Sequence, residues 1–397
     1  MKYVDQVLAS DERILAVGKF HWWYTFAAYL WLGLLGVFLI GIAVFVKMML
    51  RKWTTEKAYP PGSGGAKCSD GRALVGVEHI ANIKLRGFAM IDFPRSLIEF
   101  QHVFPEERAC AAYLADARWP DGFRCPDCGD DKGWELSTKA FTRECAGCGK
   151  QTSVTAGTVM HGSKLPLTVW FWAAYLMATH SNGIAALQLQ KQLGLGSYKS
   201  AWLLAAKLRR AMVAPHRTPL AGLVEIDETV IPHRTKADPP ADGQGRSADG
   251  KMLIAGAVEV RDGGSGRVRL APIADFSAAS LHAFIEANVE AGATAKTDSW
   301  SSYTGAPGVT HDPHVVGPMA AHVVLPWAHR VFANLKTWTL GVYHGLREKH
   351  LQSYLDEFVF RFNRRRTRHA AFRSLLGIAV ALKPTTYNML IAPEVPA

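Results

Sequence analysis

The hydrophobic positions change their period several times along the chain. From Trp22 to Val46 they have none: WWYTFAAYLWLGLLGVFLIGIAVFV carries no charged residue, has aromatic residues at one end, and is followed by Lys47, Arg51 and Lys52. A helix of that length can cross the hydrocarbon core of a bilayer, roughly 30 Å thick. The run therefore predicts a transmembrane helix over 22–46, and its basic flank favours a cytoplasmic side for everything downstream. A buried core helix fits less well, because the run is apolar on all faces. A cleaved leader is disfavoured by the length of the run and by the lack of a small-residue cleavage site near its end. After Lys57, AYPPGSGGAKCSDG breaks the pattern and opens a linker over 57–89.

Helical spacing returns at Met90. Phe, Leu and Ile recur at helical intervals through MIDFPRSLIEF, and a second helix begins near Pro105 and stops before Trp119-Pro120, giving a helical lead-in over 90–120. Between 165 and 215 the chain again reads as helices: LTVWFWAAYLMATH, then IAALQLQKQLGL after Asn182-Gly183, then SYKSAWLLAAKLRRAM. The last two suit a helix-turn-helix whose second helix, carrying Lys199 and Arg209, enters a DNA groove. A plain helical hairpin explains them equally well, since Trp202, Leu203 and Leu204 account for themselves as core.

Beyond Leu223 the period becomes that of strands. LVEIDETVI, MLIAGAVEV and RVRLAPIAD are separated by turn residues, with an insertion HRTKADPPADGQGRSADGK after the first. A helix, SAASLHAFIEANVEAG, leads to a fourth strand TAKTDSW; HVVLPW is expected as a fifth, and helices at 328–342 and 349–366 close the pattern. This element order predicts an α/β domain over 220–370, an RNase-H-like mixed sheet with flanking helices, with 371–397 as a C-terminal tail.

Chemistry enters with RCPDCGDDKGWELSTKAFTRECAGCGK. Its two Cys-x-x-C pairs, Cys125/Cys128 and Cys145/Cys148, stand on either side of residues that suit a pair of strands. This predicts a closed four-cysteine structural Zn²⁺ site, a zinc ribbon over 121–160. Redox use of one pair is the weaker reading, because it needs no second pair. Four of the six cysteines fall in this stretch, a clustering that points to metal in a reducing compartment and away from a disulfide framework. Charge adds a partner: 45 Lys and Arg against 34 Asp and Glu, net +11, favours a polyanion such as nucleic acid or an anionic membrane surface.

The second constellation is acidic. Asp227 in VEIDET and Asp298 in TDSWSSY fall on strands that are neighbours in an RNase-H-like sheet, so their carboxylates converge on one edge and can share Mg²⁺ or Mn²⁺. Asn334 in HRVFANLKTW is the candidate third ligand, offering an oxygen but no charge, and Lys336 beside it can contact a DNA phosphate. Glu357, Arg361 and Arg364 share one helix face. That face is either an ion-paired solvated surface or a place where Glu357 supports the metal site while the arginines, extended by Arg365, grip DNA.

With FRCPDCG, CAGCGKQTSVTAGTVM, VEIDET, TDSWSSY, HRVFANLKTWTLGVYHG and YLDEFVFRFNRRR together, residues from about 90 to 390 resemble the insertion-sequence transposases of the ISXO-like group. The resemblance implies a zinc ribbon ahead of a DDE-type domain, with catalytic duty carried over to Asp227, Asp298 and Asn334, and Glu357 in an auxiliary role. It implies cleavage at the ends of a mobile element and strand transfer into target DNA, with water and then the freed 3′-hydroxyl as nucleophiles. The partners it implies are double-stranded DNA, both terminal inverted repeats and target, and a homo-oligomer on paired ends, in a cytoplasmic, DNA-associated setting. Residues 1–56 are similar instead to the start of bacterial membrane proteins with a PH-like domain. This predicts a foreign segment, with Met90 as the native start; translated and inserted, it would bring membrane contact through 22–46. Rival expectations are a catalytically weak or inactive zinc-ribbon protein that represses or occupies element ends, and a membrane-tethered regulator.

Overall fold

The structure, a computed structural model, describes residues 94–232, 250–315 and 321–391. The apolar run 22–46, the linker 57–89, Met90 and most of the insertion after the first long strand lie outside the described residues. Among the described residues no helix is long and apolar enough to cross a membrane.

Among the described residues two short helices come first, α1 (Leu97–Val103) and α2 (Glu107–Arg118). Ser96 starts α1 by accepting the Glu99 N–H at 3.1 Å, the usual way a side chain satisfies one of the amides left over at a helix start. Three short strands follow, β1 (Gly133–Glu135), β2 (Thr142–Cys145) and β3 (Gln151–Ser153), forming an antiparallel sheet in the order β1-β2-β3. Next are α3 (Leu167–Thr179), α4 (Ala186–Gln192) and α5 (Tyr198–Arg210). Proline at the α3 N-cap supplies no capping side chain. Glu107 of α2 does so across space, accepting the Leu167 and Thr168 N–H groups at 2.8 Å each and the Thr168 hydroxyl at 2.7 Å.

The large sheet contains β4 (Leu223–Pro232), β5 (Lys251–Arg261) and β6 (Gly264–Pro272) as an antiparallel meander. Helix α6 (Ala278–Asn288) then carries the chain to β7 (Thr294–Asp298), which pairs parallel with β4, and β8 (Thr310–His314) pairs parallel with β7. The order is β6-β5-β4-β7-β8, a mixed sheet. After a single helical turn, α7 (Ala321–Val324), come α8 (Pro326–Tyr343), α9 (Leu351–Asn363), α10 (Arg368–Ala381) and α11 (Tyr387–Ile391).

The sheet is covered on both faces. On one, Leu281, Phe284 and Ile285 of α6 pack with Val224, Ile226, Ala257 and Ala295. On the other, Val331, Phe332 and Leu335 of α8 and Phe358 of α9 pack with Ile254, Val258 and Val268. Strands buried on both sides read as continuous apolar runs, which is why MLIAGAVEV shows little alternation.

Two expectations are corrected. HVVLPW is not a strand: Ala321–Val324 is helical and Pro326 sits in the first turn of α8, where its fixed φ and missing N–H are tolerated. The edge strand is THDPH, whose Pro313 marks an outer strand. Nor is the stretch from 371 a tail. Ala371, Phe372, Leu375, Leu376 and Ala379 of α10 are buried in the helical core with Phe100, Phe104 and Phe171. Helix α10 thus closes the module that α1 and α2 begin.

Candidate active site

β4 and β7 set the site. Their register pairs Val224 with Ala295 and Glu225 with Lys296; carried two residues further on each strand, it brings Asp227 level with Asp298, where β7 ends, and both carboxylates act on the buried Tyr303. Strand pairing fixes this placement, since a one-residue slip would turn every side chain to the opposite face. Asp227 is 8% exposed. One of its oxygens accepts the Glu228 N–H at 2.9 Å and the other lies 3.4 Å from His329 Nε2. Asp298 accepts the Trp300 N–H at 3.1 Å, which fixes its carboxylate just past the strand end.

Three neighbours build this edge. Gly256 lies directly across from Asp227 on β5, and a Cβ there would stand 2.5 Å from the Phe332 ring; the missing side chain lets α8 approach the sheet beside the aspartate. Glu225, two residues before Asp227, accepts the Trp327 and Ala328 N–H groups at 2.8 and 2.9 Å, so a carboxylate on the strand caps the first turn of α8. Burial pushes the Glu225 carboxyl upward against the opposing pull of those amides. Tyr303, fully buried, donates to Glu228 at 2.5 Å. Burial and the charges of Glu228, Asp227 and Asp298 hold its phenol well above the usual range, a sign of how closely the carboxylates gather around it.

The remaining expected site residues fall elsewhere. Asn334 and Lys336 are exposed on α8. Asn334 is five residues past His329, about 7.5 Å along the axis and about 140° around it, and it lines a cleft between α8 and the α4–α5 pair. Lys199 is exposed on the same cleft, its ammonium 4.5 Å above the Tyr387 ring.

Glu357, expected near the metal, is fully buried and spoken for. It accepts Arg209 Nε at 2.7 Å and the Tyr343 hydroxyl at 3.2 and 3.3 Å. Burial and the Glu357 charge keep the Tyr343 phenol protonated, hence a donor. Arg209, expected to face DNA, is itself 2% exposed and lies under Tyr354, 4.1 Å from the ring centroid. Arg361 donates to the carbonyls of His180 and Ser181 at the end of α3. Arg364 lies 4.0 Å from the Phe360 ring centroid, and Arg365 holds the Ser265 and Gly266 carbonyls at the start of β6. The expected pair of Glu357 with Arg361 is present at 3.8 Å but buried and not solvated; Arg209 and Arg361 join helix to helix, and Arg365 ties α9 to β6.

Removing one partner of a buried ion pair leaves the other charged and unsatisfied, at a cost of about 3–5 kcal/mol. Glu357→Ala is therefore expected to lower stability by that order in urea unfolding, as is Arg209→Ala, with the double variant losing less than the sum. Full stability of Glu357→Ala, coupled with an altered Mg²⁺ dependence of activity, would reinstate it at the metal.

The cysteine site is closed. Gly129 and Gly149 follow the two Cys-x-x-C pairs with φ of +77° and +71°, and each donates its N–H to the first cysteine of its own turn at 3.0 Å. Only this left-handed step, cheap for glycine, folds both loops into the same knuckle. The four sulfurs lie within 4.8 Å of one another, with the Cys125–Cys148 and Cys128–Cys145 pairs at 3.6 and 3.5 Å. Tetrahedral Zn²⁺ with bonds of about 2.3 Å sets its sulfurs about 3.8 Å apart, so the donor set and spacing fit zinc. Among the described residues these thiols are the only group of three or more Cys, His, Asp or Glu side chains able to hold a metal. Asp227 and Asp298 accordingly form an open carboxylate edge and not a cage.

His329, Glu225, Glu228 and Tyr303 went unread in the sequence. His329 had a signal, as the first residue of HRVFANLKTW and five positions before Asn334. Glu225 had one too, sharing the face of Asp227 at strand spacing.

Residues 105–151 match the transposase zinc-ribbon domain and residues 219–363 the ISXO2-like transposase domain. A protein in the transposable element ISH50 of Halobacterium salinarum is 28% identical over 209 residues, covering 50% of this chain and 70% of that one. Among solved structures, a chain of the simian T-cell lymphotropic virus intasome is 14% identical with a TM-score of 0.21, over 52% of this chain and 72% of its own. A chain of the pre-cleavage Mos1 transpososome is 12% identical with a TM-score of 0.22, over 49% and 74%.

Proposed function

We propose that this chain, which carries an ISXO2-like transposase domain behind a transposase zinc ribbon, cuts DNA at the ends of a mobile element and joins them to a target. The observation that supports this is the parallel pairing of β4 and β7, whose register, carried two residues on, brings Asp227 level with Asp298 in a sheet whose order and strand senses suit an RNase-H-like domain. Two carboxylates suit a hard divalent cation that keeps positions for water and substrate phosphate. Mg²⁺ or Mn²⁺ bound there would activate the attacking hydroxyl and stabilise the leaving oxygen of a phosphodiester.

The chain's own groups do the positioning. The Trp300 N–H fixes Asp298, His329 stands against Asp227, and Glu225 holds the helix that carries Asn334 and Lys336. Asn334 offers a neutral oxygen, and Lys336 a cation for a phosphate of the same strand. Water attacks first at the element end, and the 3′-hydroxyl so released attacks target DNA; no covalent enzyme intermediate is needed. The partners are the terminal repeats and target duplex, held by a homo-oligomer on paired ends in the cytoplasm.

A second reading, an end-binding protein without chemistry, draws support from the commitment of Glu357 to Arg209, which leaves the third acidic position neutral. Labelled element ends incubated with the full chain and a plasmid target decide between them. The first reading expects joined product with Mg²⁺ or Mn²⁺ and none with Ca²⁺; binding without product under every metal would favour the second.

A further inference from the structure

The cleft between α8 and the α4–α5 pair is larger than the transposase reading needs for Asn334 alone. Its volume is about 1610 Å³, beyond the roughly 300–1,000 Å³ of small-molecule sites. Seven lysines and arginines line it, and among the described residues no carboxylate does. Arg365 is bonded to neutral carbonyls, so its charge is not cancelled. The field is felt within: burial, and then the charges of Lys349, Arg347 and Arg209, hold the His350 imidazole below its ordinary range.

Charge alone would suit any nucleic acid; the aromatic residues narrow the choice. Tyr198, at the first position of α5, is 53% exposed, and among the described residues no ring or cation stacks on it. Trp202, one helical turn on, stands edge-on to Tyr387 with ring centroids 6.2 Å apart. Cations that track a backbone beside an uncovered aromatic face are what unpaired nucleotides require, because a duplex keeps its base faces stacked internally. Asn334 on the far wall lies on the same helix as His329, the neighbour of Asp227, so one helix borders both the cleft and the carboxylate edge.

We infer that this cleft holds an unpaired stretch of DNA, its phosphates met by Lys199 and Lys349 and a base stacked on Tyr198. The inference rests on the transposase reading for its choice of DNA: strand transfer exposes single-stranded ends, and the cleft would hold one such end.

The test uses the full chain carrying Asp227→Ala, without added Mg²⁺, and fluorescein-labelled oligothymidylate read by anisotropy. Tyr198→Ala is expected to weaken binding about five- to 100-fold, and Tyr198→Phe, which keeps the ring, to leave it unchanged. Joint removal of Lys199 and Lys349 is expected to reduce the slope of log K against log salt by about 1.4, two single-strand phosphate contacts. Wild-type affinity in Tyr198→Ala, losses confined to blunt duplex, or a clear preference for oligouridylate would each overturn the inference. A wild-type chain that joins ends yet ignores oligothymidylate sinks the cleft and spares the transposase; cleft-dependent binding without joining in any metal does the reverse.

Discussion

Asp227→Ala and Asp298→Ala, made singly, are each expected to abolish end cleavage and strand transfer, by at least about 1,000-fold, while the chain stays folded and still binds element-end DNA. A loss of that size is about 4 kcal/mol of barrier. The expectation follows from how the other groups near the edge are engaged. Asn334 brings no charge, Glu357 is held by Arg209 and Tyr343, Glu225 by the amides that open α8, and Glu228 by Tyr303, so each other acid already has a partner when an aspartate is missing. Asp227→Asn tests charge apart from shape: it keeps the hydrogen bond from Glu228 and loses the negative charge, and should be as inactive as alanine. Stability should move the other way. Asp227, Glu228 and Asp298 crowd around the buried Tyr303, and like charges in one place oppose the folded state; removing one should leave Tm unchanged or raise it. Joining activity that survives in both alanine variants would defeat the assignment.

How far the site could be read from sequence depended on whether a residue's role was local. Asp227 and Asp298 were legible because apolar strand text flanks each acid, one within β4 and one at the end of β7, whatever the rest of the chain does. The thiol cage was legible because each knuckle is a short local unit repeated twice. The burial of Glu357 and Arg209 was not legible for the opposite reason. A charged residue at helical spacing has the same pattern whether it meets water or a counter-charge 148 positions away, as Arg209 meets Glu357. The fold has the same boundary. Helices α3, α4 and α5 were in place from periodicity, but nothing in SLLGIAVAL tells that α10 returns to Phe100 and Phe171. HVVL, a β-branched run, was overruled by Pro326 and by burial against the sheet. Tyr303 had no signal, since its meaning lies wholly in Glu228.

Removing the metal from the cysteine site, by chelation or by Cys145→Ser, is expected to unfold the ribbon while the helical core survives. The ribbon's strands are three, four and three residues long, and its buried apolar cluster is Phe123 with Cys125 and Cys145 themselves, Trp119 packing against it. So small a core cannot offset the entropy of ordering the loop; zinc binding, worth about 10–16 kcal/mol in apparent terms, can. Past β3 the chain has other anchors. Arg118 donates to the Ser153 and Val154 carbonyls at 2.9 and 3.0 Å, and the Val159 N–H reaches Ala379 of α10 at 3.2 Å. Amide exchange should thus become fast through β1 and β2 and stay slow in α3, α5 and α10. Cys110 is the control: it is fully buried in the helical core, its thiol pushed up to about 12 by burial, far from a ligating thiolate. Cys110→Ser should keep one zinc per chain by elemental analysis, and Cys145→Ser should keep none. Protected ribbon amides in a metal-free chain would mean that these four sulfurs converge for some reason other than zinc.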